Sequence, residues 1–249
     1  MFKLKKVVKA RKRIAVLTNL LFKLFQISLR YKENRKEYGI EIFEYFYLPW
    51  RTDKDFNDAY DQIKTFTLNP KSRLFTIYEM SKKYLKNDSV FLEVGSWKGG
   101  VCGLVSLTNE NKDIEIFACD SFEGVKKASA DDTFFKNGEY DDATKLDIDK
   151  VNKFSPHKVK IVEGTFPESF KNELINSISV AHIDVDTYLS AKESFEYISE
   201  RLISGGVVIL DDYGGWFTDG VTKFGNELKE DKNYFVIPNH LGQLIIFKI

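Results

Sequence analysis

A chain of 249 residues with 37 basic and 37 acidic side chains carries no net charge, which removes any global electrostatic ground for a nucleic-acid partner. Hydrophobic residues make up 43%, with 21 Phe and 12 Tyr among them; this excludes disorder and suits one α/β domain with an extension, or two small domains at most. Two cysteines, Cys102 and Cys119, exclude a disulfide scaffold, and no apolar run reaches the roughly 20 residues of a membrane span.

The balanced charge is unevenly placed. Lys3, Lys5, Lys6, Lys9, Arg11, Lys12 and Arg13 all precede the first acid, Glu33. Ile14, Leu17, Leu20, Leu21, Leu24 and Phe25 follow at intervals of three and four, the spacing of an amphipathic helix. Two readings stand: a helix packed on the body or on a second copy of the chain, or an interfacial helix lying on an anionic membrane. The expected location is cytoplasmic, with residues 1–30 offering peripheral contact to the inner membrane face and residues 1–50 a surface for a homo-oligomer. Further on, 55–67 and 72–85 read as helices either side of Asn69-Pro70. Residues 1–88 therefore form a basic, helical extension, and 89–249 a separate body.

That body opens on Val90, Phe91, Leu92 and Val94, a buried strand that breaks at Gly95; Gly99 and Gly100 then open a helix over 101–107. Strand, glycine turn and helix make the first unit of a nucleotide-binding α/β fold, Gly95 allowing the turn and Gly99 the close approach of backbone to a ligand. The spacing Glu-x-Gly-x-x-x-Gly is neither the dinucleotide fingerprint nor a phosphate loop. Glu93 would repel a pyrophosphate and favours a cationic ligand, as the sulfonium and ammonium of S-adenosylmethionine are. Residues 114–120 form a second strand ending on Asp120, placed to accept hydrogen bonds from ribose hydroxyls. The polar stretch 125–157 reads as a lid or binding loop. Strands follow at 159–162, 180–184 and 207–211, separated by helices at 168–175 and 189–202, and an antiparallel hairpin of 234–237 and 243–247 closes the chain.

Two strand ends carry acids: Asp184 and Asp186 on one, Asp211 and Asp212 on the other. In an open parallel sheet these ends share one crevice. Carboxylates so close repel unless a cation lies between them, and hard oxygen ligands point to Mg²⁺, with Asp184, Asp211 and Asp212 as the set. His182, two residues before Asp184, is a further base candidate but reads rather as a residue of the sheet interior.

Five motifs occur in order: Glu93-Val-Gly-Ser-Trp-Lys-Gly-Gly100, Asp120-Ser-Phe-Glu-Gly124, Glu163-Gly-Thr-Phe166, His182-Ile-Asp-Val-Asp-Thr-Tyr188 and Gly205-Gly-Val-Val-Ile-Leu-Asp-Asp-Tyr213. Together they resemble the macrocin O-methyltransferase (TylF-type) family, over about residue 55 to the end, with Val185 where the family usually has Gly. The resemblance implies a Rossmann-like class I methyltransferase fold, a seven-stranded, mostly parallel sheet with a C-terminal antiparallel strand. It implies S-adenosylmethionine held by Glu93, Gly95, Ser96, Gly99, Asp120, Ser121 and Gly164, and Mg²⁺ on Asp184, Asp211 and Asp212. The implied reaction methylates a sugar hydroxyl of a glycan, glycolipid precursor or glycosylated natural product, with Asp184 or Asp186 taking the proton. The alternative is a non-catalytic module of the same fold, recruited through the basic N-terminal helix.

Overall fold

The computed structural model describes residues 27–30, 39–42, 48–111, 113–171, 175 and 177–249. The basic run of residues 3–13 and the amphipathic helix expected at 14–25, on which the membrane contact rests, lie outside the described residues. Two compact units make up the chain, Met1–Pro49 and Trp50–Ile249. In the first, β1 (Ile27–Arg30) pairs antiparallel with β2 (Gly39–Ile42), Ile27 opposite Ile42. This ribbon departs from the helical extension expected there. Its sequences, Ile-Ser-Leu-Arg and Ile-Glu-Ile, alternate apolar and polar residues with the period of a strand.

The second unit begins at Trp50, so it takes in both helices that precede residue 89. Helix α1 (Lys54–Ile63) is capped by Asp53, whose carboxylate accepts from the Phe56 N–H at 2.9 Å. It buries Phe56, Ala59 and Ile63 on one stripe. It stops short of the expected Thr67, in a turn closed by Phe66 N–H to the Ile63 carbonyl at 2.7 Å. Helix α2 (Lys71–Tyr84) starts directly after Pro70, whose fixed φ suits a helix entry.

Seven strands form the sheet: β3 (Ser89–Val94), β4 (Ile114–Asp120), β5 (Val159–Glu163), β6 (Ile178–Ile183), β7 (Leu202–Leu210), β8 (Tyr234–Pro238) and β9 (Leu244–Lys248). Their order is β5-β4-β3-β6-β7-β9-β8, parallel from β5 through β7, with β9 antiparallel to both neighbours. Every residue of β3 and β6 is buried, which is why the central strands read as mainly apolar runs, broken by Ser89, Glu93, Ser179 and His182. Alternation along them feeds two cores. Phe91 and Val180 face Leu74, Ile77, Leu104 and Val105 on one side; Leu92, Val94, Ala181 and Ile183 face Ala191, Phe195 and Phe224 on the other. Each such fully buried Leu, Ile or Phe stabilises the sheet by about 1.5–3 kcal/mol, so the strand ends are rigid supports for whatever they carry.

Helix α3 (Gly100–Thr108) follows β3, α4 (Lys145–Asn152) lies within the long polar connection, and α5 (Tyr188–Arg201) follows β6. Within the span 168–175 expected as a helix, the described residues form one 3-10 turn, Glu168–Phe170. Between β7 and β8 runs a helix not expected from the sequence, α6 (Asp219–Glu230), burying Val221, Phe224, Gly225 and Leu228. That spacing is a helical stripe, masked by Gly220 and Gly225, which both lower helix propensity. Among the described residues no helix is long and apolar enough to cross a membrane.

Candidate active site

The chain runs from β3 outward to β4 and β5, then returns to lay β6 and β7 on the other side of β3. The crevice beyond the carboxyl ends of β3 and β6 is where such a sheet binds ligands. A cleft of about 530 Å³ lies there, lined by the loops after β3, β4, β5, β6 and β7.

One half of the cleft is built by the glycine turn. Gly95 has φ +83°, and its N–H donates to the Cys119 carbonyl at 2.9 Å. A Cβ there would stand 1.8 Å from the carbonyl oxygen of Asp184, so glycine is what allows the ends of β3 and β6 to meet. Gly99 does a different job from the one expected. Its bare face is filled by the Ile148 side chain, 2.9 Å from where a Cβ would be, so the missing atom lets α4 pack on the loop. Asp120 holds both turns: Oδ2 accepts from Trp97 N–H at 2.7 Å and Oδ1 from Phe122 N–H at 2.8 Å. Burial pushes its carboxyl above the usual range against the pull of those two N–H groups. Ser121 and Gly164 line the same side, the Gly164 N–H donating to the Asp120 carbonyl at 2.9 Å. Ser96 also lines it, buried, and its Oγ has no hydrogen-bond partner among the described residues. An orphaned buried hydroxyl facing a cleft calls for a polar ligand.

Glu93 lines the cleft yet is bound inward. Its Oε1 contacts His182 Nδ1 at 3.1 Å, and the buried Cys102 thiol donates to Oε2 at 3.1 Å. His182 Nε2 in turn contacts Asp211 Oδ2 at 3.1 Å. All four side chains are almost wholly buried. Burial opposes a charge on His182, but the hydrogen bonds to Asp211 and Glu93, with their negative charge, raise its pKa well above the ordinary value. The imidazolium therefore donates on both sides, its single positive charge shared between two carboxylates, which leaves it no lone pair for a metal. Glu93, read from the sequence as facing a cationic ligand, lines the cleft with its carboxylate hydrogen-bonded to His182 and Cys102.

The other half of the cleft carries the acids. Asp184, Asp186 and Asp212 line it, and Asp211 sits just beneath. Asp186 and Asp212 both take the left-handed conformation, φ +61° and +65°, backbone held against its preference at a site. Burial first, then the charges of Asp211 and Asp212, raise Asp184 well above the carboxylate range. Burial followed by the charge of Asp212 pushes Asp186 up to about 8. His182, Asp184 and Asp211 bring ligand atoms within 4.8 Å of one another. With His182 already committed, the oxygens left are those of the aspartates. Asp211 Oδ1 is buried without a hydrogen-bond partner among the described residues. A buried carboxylate oxygen with no hydrogen bond, only an ion pair to Arg73 Nη1 at 3.8 Å, beside two further carboxylates fits a hard divalent cation held by Asp184, Asp211 and Asp212.

Two residues from the segment before β3, Asn69 in the loop ahead of α2 and Arg73 on α2, complete this half and were not singled out in the sequence. Asn69 Nδ2 donates to Asp184 Oδ2 at 2.9 Å. Arg73 on α2 donates from Nη1 to Asp212 Oδ1 at 2.8 Å and from Nε to the Leu241 carbonyl at 2.8 Å, with Asp211 Oδ1 at 3.8 Å. The Asn69-Pro70 break was legible as a helix boundary; nothing local linked it to acids more than 100 residues away.

A sheet of this order, with one antiparallel strand inserted next to β8 and a glycine turn and acid ending its first two strands, defines a class I methyltransferase fold. Solved structures share it. The O-methyltransferase NovP is 20% identical, with a TM-score of 0.62 over 74% of this chain and 82% of its own. A calicheamicin methyltransferase is 16% identical, with a TM-score of 0.58 over 82% and 94%. The chain belongs to the macrocin O-methyltransferase (TylF) family, whose model matches residues 53–238. Relatives include mycinamicin III 3''-O-methyltransferase of Micromonospora griseorubida, 26% identical over 49% of this chain and 54% of that enzyme. Another, from Streptomyces olivaceus, is a 4'-O-methyltransferase of a rhamnosyl tetracenomycin, 26% identical over 49% and 52%. The chain spans about half the length of the curated relatives it matches.

Proposed function

We propose that this protein transfers a methyl group from S-adenosylmethionine to a sugar hydroxyl, with a divalent cation on Asp184, Asp211 and Asp212. The observation that carries the reading is one cleft whose two halves differ: Asp120, Ser121, Gly164 and an unsatisfied Ser96 hydroxyl on one side, and Asp184, Asp186 and Asp212 on the other, with the buried Asp211 beside them. The names of the relatives, which act on glycosylated compounds, support a sugar as acceptor. S-adenosylmethionine supplies the methyl group, and the cation would fix and acidify a sugar hydroxyl between the carboxylates.

The chain's own residues do the rest. Asp120, stitched to Trp97 and Phe122, keeps acceptor lone pairs for ribose hydroxyls. Asn69 occupies Asp184 Oδ2, and Arg73 holds Asp212 Oδ1, so both acids are oriented before any ligand arrives. Asp186 takes the hydroxyl proton on its carboxylate. In the metal-free protein burial and the charge of Asp212 raise its pKa to about 8, above an ordinary aspartate, and a bound cation would lower it from there.

Calorimetric titration of S-adenosylhomocysteine, with and without Mg²⁺, tests the reading. Binding in both, followed by Mg²⁺-stimulated methylation of a sugar acceptor, is the expected result. No binding in either arm would return the protein to the class of non-catalytic modules. Asp120→Ala is expected to weaken that binding by about 1.5–3 kcal/mol, the worth of a hydrogen bond to a charged group. Unchanged affinity would remove Asp120 from the cofactor half.

A further inference from the structure

Each of the three acids assigned to the cation has one oxygen already taken by a donor from elsewhere in the chain. Asn69 Nδ2 donates to Asp184 Oδ2 at 2.9 Å, His182 Nε2 lies 3.1 Å from Asp211 Oδ2, and Arg73 Nη1 donates to Asp212 Oδ1 at 2.8 Å. The donors come from the loop ahead of α2, from β6 and from α2 itself. Asp184 Oδ1, Asp211 Oδ1 and Asp212 Oδ2 are left over. Asp211 Oδ1 is buried and takes no hydrogen bond among the described residues. Asp212 also faces Asp186, close enough for a hydrogen bond between the two carboxyls in the metal-free protein.

The donors are themselves fixed. His182 is fully buried; its Nδ1 is engaged by Glu93 Oε1 at 3.1 Å, and the Cys102 thiol donates to the other Glu93 oxygen at 3.1 Å. Arg73 is held at Nε by the Leu241 carbonyl at 2.8 Å, and its Nη2 stands 2.7 Å from where a Cβ on Gly242 would be, so the β8–β9 turn packs on the guanidinium. The Asn69 N–H donates to Thr67 Oγ1 at 3.1 Å. The Phe66 carbonyl accepts from the Gly100 N–H at 2.9 Å, which ties the Asn69 loop to the start of α3. A carboxylate whose second oxygen is held by such a donor meets a metal through the first oxygen alone, and outer partners of this kind fix ligand orientation.

Resting on the cation reading above, we propose that Asn69, His182 and Arg73 are positioning residues that confine Asp184, Asp211 and Asp212 to one ligand oxygen each and so set the site against calcium. Calcium takes about six to eight oxygens and gains from carboxylates that bind through both of theirs. Magnesium needs a small, near-octahedral set and keeps several waters. Three single oxygens fill half of an octahedron and leave the rest to water or acceptor hydroxyls, which suits magnesium and falls short for calcium. With both oxygens of every acid available, a site of the same charge would favour calcium instead. The discrimination therefore lies in the neighbours of the acids.

The test follows the melting midpoint of the full, metal-free chain at one fixed pH as MgCl₂ or CaCl₂ is added, which gives an apparent affinity for each cation. The expected result is magnesium bound at least as tightly as calcium. In Asn69→Ala the calcium-to-magnesium affinity ratio should rise about tenfold, the lower end of what an outer partner is worth to a metal site. Arg73→Met should raise the ratio too, and because it removes a positive charge it should tighten both cations. Gly205→Ala controls for a merely weakened fold: its added Cβ meets nothing within 4 Å, so it lowers the midpoint and leaves the ratio alone. Calcium bound more tightly by the unaltered protein, or a ratio unmoved in both Asn69→Ala and Arg73→Met, overturns the inference with the cation still in place. No response to either cation strikes the cation reading itself, and the inference falls with it.

Discussion

Asp186→Asn should lower kcat by about 10²–10⁴-fold, the range for loss of a general base, while S-adenosylhomocysteine still binds. The amide keeps the shape of the carboxyl and so does not disturb the left-handed turn at φ +61°, but it accepts no proton. Burial and the charge of Asp212 hold Asp186 at about 8 without a cation. Below that pH the metal-free carboxyl is protonated and cannot serve as base, so kcat/KM should rise with pH through this limb. A divalent cation on Asp184, Asp211 and Asp212 offsets the like charge that raises the pKa, and Mg²⁺ should therefore move the limb to lower pH.

The same shift has a sign in stability. An aspartate raised in the fold from 3.8 to about 8 favours its neutral form, so its contribution is fully present below 3.8 and is lost as pH rises through about 8. Asp184 shifts in the same direction. Metal-free protein should thus melt lower at about pH 9 than at about pH 6, and both Asp186→Asn and added Mg²⁺ should flatten the slope. Asp186→Asn with near-full kcat would pass the proton to Asp184.

The strands were readable because parallel strands buried on both faces leave largely apolar runs, as Val90 to Val94, interrupted by Glu93, and Val207 to Leu210 do. Their acidic ends, Asp120, Asp184 and Asp211, were readable for the related reason that a charge terminating such a run has few structural uses. What could not be read is what those charges touch. Asn69 reaches Asp184 across 115 residues and Arg73 reaches Asp212 across 139, and no local pattern encodes such pairings. Glu93 and His182 show the same limit: they are partners across adjacent strands in register and hydrogen-bond inside the sheet, a pairing that no local pattern encodes. Gly99 shows the limit for glycines, because an absent Cβ looks the same in sequence whether a cofactor or Ile148 fills the space.

Gly95→Ala should destabilise the protein by about 3 kcal/mol or more, combining a left-handed alanine with a backbone collision, and lower the melting midpoint by about 6–12 °C. The added methyl would lie 1.8 Å from the Asp184 carbonyl oxygen and 2.8 Å from its carbon. Neither is a side chain that can turn aside. Relief requires β3 and β6 to part at their ends, where the Asp184 N–H donates to the Val94 carbonyl at 2.9 Å, and that displaces Asp184 from the other carboxylates. Even protein that stays folded should lose its divalent-cation response as well as stability. Gly205→Ala separates the two causes: Gly205 has φ +73°, and an added Cβ meets nothing within 4 Å, so it carries the conformational cost alone, about 1–2 kcal/mol. If Gly95→Ala melts no lower than Gly205→Ala and still responds to Mg²⁺, the close approach of the two strand ends is not what positions Asp184, and the cation half of the cleft must be held by Asn69 and Arg73 instead.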